Sequence, residues 1–120
     1  MPTIEAFHPR ELGPKPWGTE LLIAETKDYI GKVLWMNAGH GGHLQHHARK
    51  DETFYLLSGR CLVRYHDSND VLRVIEMVPG MAFHVPPGAV HQVEALDDSV
   101  LVEASTPVFD DRIVTQEFGA

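Results

Sequence analysis

A chain of 120 residues, 43% of them hydrophobic and 22% charged, is one ordinary globular domain. Ten basic against seventeen acidic side chains leave a net charge of −7, which excludes a phosphate-backbone reader, although a small anion can still be held by local cations. The lone Cys61 excludes an intrachain disulfide. No apolar run approaches the roughly eighteen residues of a membrane span, and Met-Pro-Thr-Ile-Glu lacks the pattern of a secretory signal, so a cytoplasmic protein is expected.

No window of a dozen residues carries a 3.6-residue apolar period. Short β-rich runs alternate with turn chemistry instead. Glu20 to Glu25 is the first, reached through Pro14, Pro16 and Gly18. Tyr29 to Met36 follows, and then a polar Gly/His loop from Asn37 to His47. Glu52 to Leu57 closes at Ser58-Gly59, and Arg60 to His66 closes at an Asp-Ser-Asn-Asp turn. Val71 to Val78 ends at Pro79-Gly80, and Met81 to Val85 ends at Pro86-Pro87-Gly88. His91 to Ala95 and Val100 to Ser105 flank an Asp-Asp-Ser turn. The tail, Asp110 to Ala120, reads as a short helix or an edge strand. Eight or nine short strands leave exposed edges in a flat sheet, so an all-β barrel or double-sheet jelly roll is expected. Its interior is the place for one small ligand.

Eight histidines are the compositional anomaly, and four of them (His40, His43, His46, His47) fall within eight consecutive positions. Spacing is more informative than the cluster. Gly39 is followed after five residues by Gln45, then after one by His47, after four by Glu52 and after six by Gly59. Further on, Gly80, Pro86, Gly88 and His91 are separated by five, one and two residues. Residues two apart on a strand share a face, so Gln45 and His47 face one interior if the loop enters a strand there. Glu52 returns on the next strand, and His91 comes from across the barrel. Two imidazoles, a carboxylate and an amide oxygen suit one divalent cation: Zn, Mn, Fe, Ni or Co.

These segments resemble the paired motifs of the cupin superfamily, G-x5-H-x-H-x3,4-E-x6-G and G-x5-P-x-G-x2-H-x3-N. The match holds at Gly39, His47, Glu52, Gly59, Gly80, Pro86, Gly88 and His91, and departs at Gln45 and Ala95. The resemblance implies a small double-stranded β-helix. A single cupin domain then covers residues 1–120, with a core of about 20–105 and short N- and C-terminal extensions. It also implies metal ligation by Gln45, His47, Glu52 and His91, and a homodimer. Gln-x-His, with Lys15-Pro16-Trp17-Gly18, Lys32, Leu101-Val102-Glu103 and the tail from Asp110-Asp111 to Phe118-Gly119, is similar to the cupin domain of type II mannose-6-phosphate isomerases.

Other polar residues divide between the cavity and ordinary surface positions. Lys32 lies between Ile30 and Leu34, and Glu103 between Val102 and Ala104. If those strands face inward there, each charge needs a partner or a ligand, and the two are candidates for one another. Lys50, His84 and Tyr55 are candidate substrate contacts, Lys50 for a phosphate at the mouth. Strand parity leaves Tyr55 and Arg64 open, and His84 also reads as a hydrogen-bonded strand histidine. His43 and His46 alternate with the ligands and face outward or line the mouth. His8, His40 and His66 read as surface or loop residues. The leading expectation is a metal-dependent protein acting on or binding a sugar or sugar phosphate. In an aldose–ketose isomerisation, Glu103 and Lys32 would be the candidate catalytic groups. An iron-dependent dioxygenase, a non-catalytic small-molecule binder and a metal-free barrel are the alternatives.

Overall fold

Eleven strands make up the regular structure of the computed structural model, which describes residues 1–109 and 111–119. In chain order they are β1 (Arg10–Lys15), β2 (Gly18–Glu25), β3 (Ile30–Met36), β4 (Leu44–His47), β5 (Glu52–Ser58), β6 (Cys61–His66), β7 (Leu72–Met77), β8 (Ala82–Val85), β9 (His91–Ala95), β10 (Ser99–Ser105) and β11 (Arg112–Gln116). They form two antiparallel sheets, ordered β1-β2-β3-β10-β5-β8 and β11-β4-β9-β6-β7. This is the expected all-β jelly roll. Among the described residues no helix is long and apolar enough to cross a membrane.

Side-chain alternation explains why the two sheets face each other. In β3, Ile30, Lys32, Leu34 and Met36 are buried and the intervening residues are not. In β5 the buried set is Glu52, Phe54 and Leu56, and in β10 it is Ser99, Leu101, Glu103 and Ser105. A period of two is what one buried sheet face requires. Leu34, Met36, Phe54, Leu56, Val63, Met77 and Leu101 join the buried Cys61 in one apolar cluster between the sheets. Nearer the other end the inward positions turn charged. There Glu103 pairs in register with Lys32, and Ser105 with Glu52. The interior is therefore divided into an apolar half and a charged half.

Two segments differ from the sequence expectation, and a third takes one of the two forms expected of it. The Gly/His loop ends in β4, a four-residue strand held by β11 on one side and, on the other, by the Gln45–His91 pair and a 2.8 Å bond from Gly88 N–H to the His47 carbonyl. β1 was not expected, because Gly13 and Pro14 interrupt it; it pairs with β2 across a bulge at the edge of its sheet, the position where proline is tolerated. The tail forms an edge strand over Arg112–Gln116 and no helix. Asp110 and Ala120, the outermost residues of the tail as read from sequence, lie outside the described residues.

Candidate metal centre

β4 carries Gln45 and His47 on one face, and β9 begins with His91 directly beside Gln45. Both belong to the same sheet. Glu52 opens β5 in the opposite sheet, so the three elements converge across the seam between the sheets. His47 Nε2 lies 3.4 Å from Glu52 Oε1, and His91 Nε2 lies 3.6 Å from Glu52 Oε2. One ligand atom from each of His47, Glu52 and His91 falls within 4.8 Å of the others. Two donors bound to one cation at about 2.0–2.2 Å stand about 3–3.5 Å apart, so these separations suit a shared ion.

Hydrogen bonding behind the ligands directs them inward. His91 Nδ1 is 2.9 Å from the carbonyl oxygen of Ala89. A carbonyl only accepts, so Nδ1 carries the proton and Nε2 presents its lone pair. His47 Nδ1 likewise donates to Asp111 Oδ1 at 2.9 Å. Glu52 Oε1 is held by the Lys50 ammonium at 3.0 Å, whereas Glu52 Oε2 and Gln45 Oε1 are buried without a hydrogen-bond partner among the described residues. Orphaned buried acceptors are costly, and a cation satisfies both. The donor set of two imidazoles, a carboxylate and an amide oxygen fits a borderline divalent metal.

Around these groups lies a cavity of about 360 Å³. Lys50 is buried within it and bridges Glu52 to Glu103 Oε2, the latter at 3.1 Å. Burial pulls the Lys50 pKa down, but Glu103 and Glu52 outweigh that and raise it above 10.5, so the ammonium is retained. Ser105 Oγ donates to Glu103 Oε2 at 2.8 Å. Lys32 pairs instead with Glu20, at 3.6 Å, under the ring of Phe109. Burial lowers the His91 pKa below 6.5 and keeps that ring neutral, as a metal ligand must be.

The sequence matches the Cupin domain family over residues 33–106. The chain belongs to the cupin family. No curated protein matches it significantly. Among solved structures this cupin is similar to KdgF from Halomonas sp., with 24% identity, a TM-score of 0.72 and coverage of 85% of this chain and 89% of that one. The capsular polysaccharide assembling protein CapF from Staphylococcus aureus superposes with a TM-score of 0.79 at 18% identity over 92% of this chain, but only 35% of CapF is covered. Oxalate decarboxylase from Bacillus subtilis gives 0.75 at 14% identity, over 89% of this chain and 30% of that one. This cupin thus spans about a third of the latter two, and the likeness is one of fold.

The candidate residues from sequence fall into two groups. Gln45, His47, Glu52, His91, Lys50, Lys32 and Glu103 all line the cavity. Tyr55 and His84 do not. Tyr55 alternates with the inward Phe54 and Leu56 and is 42% exposed, and His84 stands on the outer face of β8, bonded to Asp51. Strand parity corrects both placements. Lys50 differs in location: it is a buried ammonium lining the cavity at the centre of the charged half, not a residue at the mouth. The pairing of Lys32 with Glu103 is replaced by Lys32–Glu20 and Lys50–Glu103. Sequence reasoning missed Asp111, which stands 64 positions from His47, and Arg112, which lines the cavity. The only sequence signal at Asp111 is its place in the tail similarity.

Proposed function

We propose that this cupin binds one divalent metal through Gln45, His47, Glu52 and His91 and acts on a sugar or sugar phosphate, in an aldose–ketose isomerisation. The observation that carries the reading is the buried Glu103–Lys50–Glu52 chain, which sets a carboxylate beside the candidate ligands inside a cavity of about 360 Å³. A small polar ligand fits such a volume. When bound, a divalent cation supplies Lewis acidity to a carbonyl or hydroxyl oxygen. Both contacts of Glu103 are made through Oε2, which leaves Oε1 to meet a substrate. That oxygen takes the proton from the carbon next to the carbonyl and returns it to the former carbonyl carbon, while the hydroxyl proton on the neighbouring carbon passes to the former carbonyl oxygen. Lys50 holds the carboxylate in place through its contact with Oε2. Lys32, further along the same wall, binds a substrate oxygen, and apolar Trp17, Met36 and Phe109 exclude water from one side. One protein of similar fold is named for polysaccharide assembly and another for oxalate decarboxylation, so the sugar assignment rests on the site.

A homodimer and a cytoplasmic location complete the proposal. The test is turnover of mannose 6-phosphate and related sugar phosphates by the metal-loaded protein, before and after chelation. Turnover lost on chelation and restored by metal supports the reading, whereas undiminished turnover by the metal-free protein overturns it. Two histidines and one carboxylate also favour an iron-dependent dioxygenase, the second reading. Oxygen consumption by the ferrous protein with candidate substrates distinguishes it. Thermal stabilisation by sugars without any turnover identifies a non-catalytic binder.

A further inference from the structure

The C-terminal segment touches the candidate metal centre at a point that no ligand motif covers. Asp111 immediately precedes β11, and its side chain is 7% exposed. Its Oδ1 accepts from His47 Nδ1 at 2.9 Å, while Oδ2 accepts from the backbone N–H groups of Arg49 at 2.7 Å and Lys50 at 2.9 Å. One carboxylate therefore grips two things at once. It sets the ring of a candidate ligand, and it folds the turn that delivers Lys50 to Glu52 and Glu103. β11 then pairs with β4, placing Arg112 opposite His47 and Val114 opposite Gln45. On its other side β4 has the Gln45–His91 pair and a 2.8 Å bond from Gly88 N–H to the His47 carbonyl, so the longer of its two pairings is the one with the tail. Phe118 continues the same role, its N–H donating to His43 Nδ1 at 3.0 Å.

We infer that Asp111 is the positioning residue of the metal centre, fixing His47 as the Nδ1–H tautomer with Nε2 free toward the cation while anchoring the Arg49–Lys50 turn. The inference rests on the metal-site reading above. Outer carboxylates that orient ligand histidines typically contribute about 10- to 100-fold in metal affinity. Asparagine cannot replace Asp111 fully. If its oxygen accepts from His47, its NH2 faces the two backbone donors; if it flips, His47 meets a donor.

The experiment is calorimetric titration of the metal-depleted full-length protein with zinc chloride. D111N should bind zinc about 10- to 100-fold more weakly than wild type. T106A is the control, because Thr106 Oγ1 accepts from Asp51 N at 3.0 Å in the same loop without touching His47. T106A should melt at a lower temperature and bind zinc as wild type does. Equal zinc affinity in D111N and wild type overturns the positioning role, and so does an equal loss in T106A. Imidazole nitrogen correlations in wild type provide a readout independent of variant folding. His47 protonated on Nε2 in the metal-depleted protein also overturns the inference. A wild-type protein that binds no zinc removes the metal reading itself, and this inference with it.

Discussion

His91 shows how one buried ring links the site to solution conditions. Its Nδ1–H donates to Ala89, and the ring faces Glu52, His47 and Lys50. Burial is the largest cause of its depressed pKa, opposed by the Ala89 carbonyl and Glu52. The unfolded ring takes up a proton near 6.5 and the folded one only below that. The stability His91 contributes is therefore complete above 6.5 and declines as the pH falls. In the metal-depleted protein the urea midpoint should drop between about pH 7.5 and 5.5, with a shallower drop in H91Q. Identical slopes in the two proteins would exclude this origin. At Lys50 the effect is one of charge. K50M strands Glu52 and Glu103 in the interior, and removing one partner of a buried pair costs about 3–5 kcal/mol. Adding E103Q to K50M should recover part of that loss in chemical denaturation, a coupling expected of groups in direct contact.

Strand elements differed in how plainly the sequence announced them. β5, β6, β9 and β10 carry apolar residues at alternate positions between turn residues, and their ends matched expectation to within one or two residues. β4 has no such signature. Leu-Gln-His-His is all half-buried, because the strand faces a polar cavity where the usual apolar alternation is replaced by ligands. Motif spacing, not periodicity, revealed its inward residues. Lys50 and Asp111 were hidden for a different reason. Each acts through contacts distant in sequence, and nothing local distinguishes a buried lysine from a solvated one. Asp111 itself is held ionised, its pKa brought down to about 2 because the Arg49 and Lys50 N–H groups and His47 outweigh burial. Turns, by contrast, were legible. Gly59 sits at φ +93° between β5 and β6, where an added Cβ would press on the Asp98 carbonyl and Ser99. G59A should lose about 1–3 kcal/mol in urea unfolding. G42A, whose Cβ would meet nothing within 4 Å, should change stability far less. Equal losses would remove the steric account.

At the scale of the molecule, the two halves of the interior do different jobs. The apolar half around Leu56, Cys61 and Leu101 supplies the hydrophobic stability. The charged half buries Glu20, Glu52 and Glu103 against Lys32 and Lys50, three carboxylates to two ammonium groups. L56A should destabilise by about 2–5 kcal/mol while leaving zinc affinity unchanged, whereas E52Q should remove the affinity. Zinc at a hundredfold excess over its dissociation constant should stabilise wild type by about 2.7 kcal/mol, a rise in melting temperature on the order of 10 °C. No rise would count against the site.

The candidate ligands come from both sheets: Gln45, His47 and His91 from one, Glu52 from the other. A cation held between them is a cross-link between the layers, in a chain whose one cysteine denies it a covalent link of its own. Chelation would then loosen the rim before the apolar half. Amide exchange in the stripped protein should quicken first along β4 and β11, the pair that carries Gln45 and His47 at the edge of its sheet, while β5 and β10 keep their protection.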